Sequence, residues 1–304
     1  MHSTILSSTQ EALNLKDLVQ GGKRKRRVFS SELTKRLSES GYFYLNTSEL
    51  NSNTYYNPSH FYDTSLELFN KTLAEKDFLT QHLLASGVFQ NGYNAAYFPK
   101  SKIIKQLIES FLWKPEMQKT LRSNDLPSNI RNFVNDIDNV YKRIYNISLE
   151  LFSALETEYE LTPNTLAKIL IENQYSSMKT EGAVRFVRYH SPVRLTQENT
   201  DKIYVSEPHV DESFFTFGLG ETSTGLVCID GVSEALLAGT TREHLLITTG
   251  FFSHNLTKSM KKPIRAFKHN VQNTEERLVG LAFIAPESGL HYIPVNEWPS
   301  IIRA

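Results

Sequence analysis

Two side chains that can share a metal ion stand two residues apart in Glu207-Pro208-His209-Val210-Asp211-Glu212-Ser213-Phe214-Phe215-Thr216-Phe217. In an extended strand the side-chain period is two, so the His209 imidazole and the Asp211 carboxylate would point to one side and could grip one ion. Alone, the pair reads more simply as a strand end with two solvated polar residues. The downstream chain strengthens it. Lys268-His269-Asn270-Val271 brings a second imidazole, and Arg277 opens the apolar run Leu278-Val279-Gly280-Leu281-Ala282-Phe283-Ile284-Ala285. Two imidazoles and one carboxylate suit iron(II) with open coordination positions, and an arginine beside them suits an anionic co-substrate.

Each of these residues has a plainer reading. His269 could be a solvated loop residue, with His254 or His244 as rival ligands. The turn-like Ser253-His254-Asn255 suggests an exposed side chain, and His244 reads as a strand end before Leu245-Leu246-Ile247. Arg277 could be a surface charge at a strand start, yet an arginine leading an apolar strand must either snorkel to water or meet an anion. The phenylalanines at 214, 215, 217, 251, 252, 267 and 283 are core residues by default, some of which could wall a metal pocket.

The elements that must position these groups follow from composition and periodicity. The 304 residues, 40% hydrophobic and 22% charged, describe a soluble globular chain. Lys plus Arg equals Asp plus Glu at 33 each, so no overall field selects nucleic acid, an anionic membrane or an acidic substrate. Cys228 is the only cysteine, which excludes an internal disulfide or a thiolate zinc cluster and fits a reducing compartment; within Leu226-Val227-Cys228-Ile229 it reads as core. With no apolar stretch long enough for a bilayer and no signal-like N-terminus, the expected location is cytoplasmic.

Lys23-Arg24-Lys25-Arg26-Arg27 matches a nucleic-acid or import patch by composition, but reads more simply as a solvated approach to a helix capped by Ser30 or Ser31 and carrying Leu33 and Leu37. Gly41 would end that helix before the strand Tyr42-Phe43-Tyr44-Leu45. A helix after Pro58-Ser59 would carry Phe61, Tyr62, Leu66, Phe69 and Leu73 on one stripe, and Gln90 to Asn94 reads as a turn. Apolar residues spaced by three and four, from Ile130 through Ile144 to Leu155, predict a long helix over 128–159, and Pro163-Asn164 a short one after it. From Gly182 the pattern turns to β: 183–189, the His209 run, 225–229, 243–249 and 277–285. With no repeat or linker, a mostly helical region at 1–182 and a β core at 183–304 are expected to pack as one compact unit.

In order along the chain, Arg185-Phe-Val-Arg-Tyr189-His190-Ser-Pro192, His209-Val-Asp211, Gly225-Leu-Val227, Leu246-Ile-Thr-Thr-Gly250, Arg265-Ala-Phe-Lys-His269 and Arg277-Leu-Val with Phe283 and Pro286 resemble the isopenicillin N synthase-like branch of the iron(II)/2-oxoglutarate-dependent dioxygenases. Lys16-Asp17-Leu18, Gly41 to Leu45 and the long helix resemble that branch's N-terminal segment, so nearly the whole chain is covered. The resemblance implies an α+β fold with a mainly β core, a double-stranded β-helix or jelly roll with N-terminal helices packed on it. It implies His209, Asp211 and His269 as ligands of Fe(II), Arg277 as the residue receiving the far carboxylate of 2-oxoglutarate, and Tyr189, otherwise a core residue, as a hydroxyl aimed into the site. Dioxygen would be the oxidant and a small organic molecule the substrate, hydroxylated or desaturated.

Three positions depart from the family pattern. Val279 stands where a serine would assist Arg277, Val187 where an asparagine precedes the strand tyrosine, and Phe251 where an aspartate follows the glycine; the segment from Gly250 to His269 is also longer. A 2-oxoglutarate-independent iron oxidase of the isopenicillin N synthase type therefore stays open, as does a non-catalytic ligand-binding relative, and a nucleic-acid-modifying member would need Lys23 to Arg27 at the rim of the iron pocket. Substrate choice would fall to Arg188, the loop around Asn91 and Tyr93, the Ser253 to Pro263 segment and Leu290-His291-Tyr292. The oligomeric state is not legible from the sequence.

Overall fold

The structure is a computed structural model, which describes residues 11–77, 92–98, 104–114, 127–171, 182–191, 193–194, 208–231, 233–237, 239–272 and 275–285. Its elements in chain order are β1 (Leu13–Asn14), α1 (Leu15–Val19), α2 (Lys23–Glu39), β2 (Tyr42–Asn46), a 3-10 turn at Pro58–His60 leading into α3 (Phe61–Phe69), β3 (Gly92–Phe98), β4 (Ile104–Trp113), α4 (Ser128–Glu158) and α5 (Thr165–Ile171). They continue as β5 (Ala183–Tyr189), β6 (Val193–Arg194), β7 (Phe215–Glu221), β8 (Leu226–Asp230), β9 (Ser233–Leu236), β10 (His244–Thr249), α6 (Phe251–Thr257), β11 (His269–Val271) and β12 (Arg277–Ile284).

Among the described residues the strands form two sheets. The larger runs β1-β2-β10-β7-β12-β5-β4-β3, and the smaller runs β11-β8-β9. They face each other across a cavity, and helices cover the outer face of the larger sheet, as expected for a jelly roll with packed helices. The long α4 supplies that cover because its period of three and four puts Ile137, Ile144, Ile147, Leu151 and Leu155 on one buried stripe. Phe152 anchors it to the sheet, edge-on to Phe214 at 5.1 Å and stacked on Phe215 at 5.7 Å. Phe215, Phe217 and Leu219 alternate onto this helical side, which leaves Thr216 and Gly218 for the cavity.

Several elements differ from the sequence reading. The basic run is no approach to a helix but the first turns of α2, which starts at Lys23 with Gly22 as its cap. Ser30 therefore sits inside the helix, where its hydroxyl donates to the Arg26 carbonyl at 3.0 Å. The run is tolerated because it is used locally: Arg26 donates to the carbonyls of Val19 and Gly21 at 3.1 and 2.9 Å, and Lys25 pairs with Asp17 at 2.7 Å. Gly92 to Asn94 are not a turn but the start of β3, paired with Leu112 to Ser110 of β4. The first half of the chain thus contributes four strands to the larger sheet as well as its helices.

At the smaller scale, Leu73 and Phe251 are exposed and not core. Cys228 is half-buried, and burial pushes its thiol up, away from the reactive thiolate. Gly41 ends α2 as expected, at φ 74°, where a side chain would also meet the Arg265 carbonyl. Among the described residues no helix is long and apolar enough to cross a membrane. Asn91, Pro192, Pro286 and the Leu290-His291-Tyr292 segment lie outside the described residues.

Candidate metal and co-substrate site

His209 and Asp211 do not lie on a strand, since β7 begins only at Phe215. What aligns His209 is a single antiparallel bridge to His269, with backbone bonds of 2.9 Å in both directions. Residues directly opposite in such a pair present their side chains to one face. The two imidazoles accordingly sit with ring centroids 4.3 Å apart.

Asp211 is brought to them by its loop. The Phe251 amide donates to the Asp211 carbonyl at 2.7 Å, tying the loop to the start of α6. The approach requires Gly250, because a Cβ there would lie 2.1 Å from the Ser213 carbonyl oxygen and 2.5 Å from that of Asp211. Thr216 donates its hydroxyl proton to Asp211 Oδ2 at 2.7 Å, so the 2.8 Å bond between Ser213 and Thr216 must have Ser213 as donor. One carboxylate oxygen is held by this relay, and the other, Oδ1, lies 3.8 Å from His209 Nε2 and 3.9 Å from His269 Nε2.

The residues fit a metal. One donor atom from each of the three lies within 4.8 Å of the other two, a spread that a small contraction would bring to bonds of about 2.1 Å around one ion. His269 Nδ1 lies 3.3 Å from the Phe267 carbonyl, an arrangement that puts the proton on Nδ1 and leaves Nε2 free to ligate. Burial lowers its pKa from the ordinary histidine value, with Asp211 opposing and His209 adding to the effect, the direction that favours the neutral ring a ligand needs. The rivals are placed elsewhere. His254 is no exposed turn residue but a half-buried member of α6, its Nδ1 2.8 Å from the Ile264 carbonyl. His244 is the first residue of β10.

Arg277 is 3% exposed and turns inward. Nε donates to the Ser223 carbonyl at 2.8 Å and Nη2 bonds Glu221, while Nη1 is buried with no hydrogen-bond partner among the described residues. Room for Nη1 exists because residue 225 is glycine: a Cβ there would come within 2.3 Å of it. Tyr189 stands opposite Arg277 in the pairing of β5 with β12, its ring centroid 5.8 Å from the guanidinium carbon. A shift of the Arg277 side chain that brings Nη1 to the cavity would offer an anion one charged donor.

All five expected site residues line one cavity of about 510 Å³, with Val187, Val279 and Phe283 on its apolar wall. The sequence reading missed Glu221, Thr216, Ser213 and Arg185. Of these, Glu221, Thr216 and Arg185 line the same cavity, and Arg185 lies on the cavity side of β5 by the same alternation that places Val187 and Tyr189 there. Arg188, expected at the substrate, has the opposite parity and pairs instead with Glu276 at 2.7 Å. Tyr93 likewise turns to Glu109, on the face of β4 away from the cavity-lining Ile108. The Lys23 to Arg27 run borders a different groove, alongside Glu150 and Glu158, and gives no support to a nucleic-acid reading of the metal site.

No family model and no curated protein sequence matches the chain. Solved structures do. A full-length Neurospora crassa protein, in complex with alpha-ketoglutarate and 5-formyluracil, superposes with a TM-score of 0.66 at 13% identity, covering 94% of this chain and 88% of that one. The Arabidopsis thaliana dioxygenase for auxin oxidation 1, as its 2-oxoglutarate complex, gives 0.59 at 16% identity over 87% and 90%. The rice dioxygenase for auxin oxidation gives 0.60 at 15% over 91% and 83%. The two-sheet core, the helices on its outer face and the near full-length superposition together show that this chain has the fold of the 2-oxoglutarate- and iron(II)-dependent oxygenases.

Proposed function

We propose that the chain is an iron(II)- and 2-oxoglutarate-dependent oxygenase that hydroxylates or desaturates a small organic substrate. The observation that carries this reading is the convergence of His209, Asp211 and His269 on one point of a cavity that also holds a buried arginine with an unmet donor. Two neutral imidazoles and a carboxylate would hold iron(II) and leave open positions for co-substrate and dioxygen, whose activation is the chemistry the metal supplies when bound. The fold is one in which the Neurospora crassa protein and the Arabidopsis thaliana auxin dioxygenase bind 2-oxoglutarate, and Arg277 would receive its far carboxylate here. The chain's own contribution is to orient and to keep water out: Thr216 fixes Asp211, Phe267 fixes the His269 tautomer, and Val187, Val279 and Phe283 give the cavity an apolar wall.

The deciding experiment is anaerobic titration of the iron(II)-loaded protein with 2-oxoglutarate, following the visible absorption of a chelated 2-oxo acid. The band should appear in the wild type and be lost in Arg277→Ala. One observation favours a second reading, a 2-oxoglutarate-independent iron oxidase: Arg277 already has an anionic partner in Glu221, and Val279 offers it no hydroxyl. Iron binding without the band would select that reading, and no iron binding would reject both.

A further inference from the structure

The co-substrate end of the cavity holds more charge than the proposed function requires. Arg277 on β12 meets Glu221 on β7, which stands opposite Val279 in the register of the two strands, and the two charged side chains are only 4% and 9% exposed. The pair is built into the fold by two glycines. A Cβ at residue 239 would fall 1.3 Å from Glu221 Oε1, and one at residue 225 would fall 2.3 Å from Arg277 Nη1, so both side chains occupy space that any other residue at these positions would fill. The guanidinium is thereby neutralised before any ligand arrives, yet Nη1 keeps an unused, buried donor. The Ser223 hydroxyl, on the residue whose carbonyl accepts from Arg277 Nε, is also buried with no partner among the described residues.

A dicarboxylate that reaches Nη1 would place a second carboxylate on a guanidinium that already holds one. Two carboxylates sharing a buried site do not both stay ionised; one takes a proton. We propose that Glu221 is a specificity-determining residue for the co-substrate, and that 2-oxoglutarate binds to Arg277 together with one solvent proton taken up by the Glu221 carboxylate. The charges balance: the neutral Arg277–Glu221 ion pair becomes an equally neutral pair of Arg277 with the ligand's far carboxylate, and Glu221 becomes a carboxylic acid able to donate a hydrogen bond. Burial pushes the Glu221 carboxyl up from its ordinary value against the pull of Arg277, the direction that favours taking up a proton. Among the described residues, the other charged or titratable groups around the same cavity are Arg185 and Tyr189 on β5 and His209, Asp211 and His269. They are common to the wild type and a Glu221 variant, so the difference between the two isolates Glu221.

The inference rests on the proposed use of 2-oxoglutarate, and the test separates the two. Calorimetric titration of the anaerobic iron(II)-loaded protein with 2-oxoglutarate, repeated in buffers of different ionisation enthalpy, counts the protons taken up per ligand bound. The wild type should take up close to one, with affinity falling about tenfold per pH unit on the alkaline side. E221Q should take up none, bind about tenfold or more tightly near pH 8 and lose that slope. Wild-type binding with no proton uptake, a count that needs no variant, overturns the inference while leaving the functional reading intact. Equal proton uptake and equal pH slopes in wild type and E221Q overturn it in the same way. Absence of 2-oxoglutarate binding in both proteins refutes the functional reading, and this inference with it.

Discussion

The Thr216 hydroxyl donates to Oδ2 of Asp211 over 2.7 Å, which leaves Oδ1 as the oxygen turned towards both imidazoles. Groups that orient a metal ligand in this way affect metal affinity by about 10- to 100-fold when removed. Thr216→Val, which keeps the shape and loses the donor, should therefore weaken iron(II) binding by about that factor. Thr216→Ser should retain most of it. An anaerobic competition titration of the three proteins against a chelator reads the difference, and unchanged affinity in Thr216→Val would remove the hydroxyl from the account.

His209→Ala and Asp211→Ala should each abolish stoichiometric iron(II) binding, because two ligands from this set do not hold the ion. Arg277→Ala should spare the iron and weaken only the anionic partner, since its guanidinium bonds Ser223 and Glu221 and none of the three proposed ligands. Metal analysis after gel filtration of anaerobically loaded protein distinguishes these outcomes. Tight stoichiometric iron in both ligand variants would mean that the metal sits elsewhere.

Gly250→Ala should disturb the metal site from outside it. The new methyl would meet the carbonyl oxygens of Ser213 and Asp211, backbone atoms that cannot rotate away, so the Asp211 loop must shift. Overpacking of this kind costs about 1–3 kcal/mol. Chemical denaturation should show that loss, and iron affinity should fall in the same variant.

Glu109 is the acid-sensitive point of the sheet. Burial alone would raise its carboxyl, but hydrogen bonds from Tyr93, Lys76 and His190 outweigh burial and hold it below the usual carboxylate value of 4.5. A carboxyl lowered in the folded state adds stability that is present above the unfolded value and is lost as pH falls through the folded one. Wild-type stability should therefore drop below about pH 4.5 in part through this group. Glu109→Ala removes the carboxylate that Lys76 pairs with at 3.0 Å, which should lower stability at neutral pH and flatten that part of the acid dependence. Urea midpoints of both proteins across this range check the sign.

Helix and strand placement was legible wherever local periodicity and burial agree. The apolar stripe at 128–159 marks α4, observed as Ser128–Glu158, because a helix on one face of a sheet must bury a stripe at spacings of three and four. The run 183–189 marks β5 to the residue. Elements stabilised by non-local pairing were not legible: β3 starts inside a Gly-containing stretch that reads as a turn, and becomes a strand only because β4 lies beside it. The grouping of His209, Asp211 and His269 was readable from residue type and order, but for an incomplete reason. An alternating strand was expected to align His209 with Asp211, whereas a β-bridge to His269 and a Thr216-held loop align them.

Sequence by itself supplied His209, Asp211, His269 and Arg277 as candidates, since residue type and spacing are local properties of the chain, and a family resemblance supplied the expected jelly roll around them. Tertiary structure alone decided what Arg277 meets. Along β7, Thr216 and Gly218 face the cavity, and strict alternation would continue to residue 220 and turn Glu221 away. The pairing of β7 with β12 slips there: Leu281 faces Gly218, but its neighbour Gly280 faces Gly220, with Leu219 as the extra residue. That bulge reverses the parity of the strand and swings Glu221 onto the buried guanidinium. A bulge is set by how two strands 56 residues apart fit together, as in the bond from Arg277 to Glu221, and no local pattern in either strand records it.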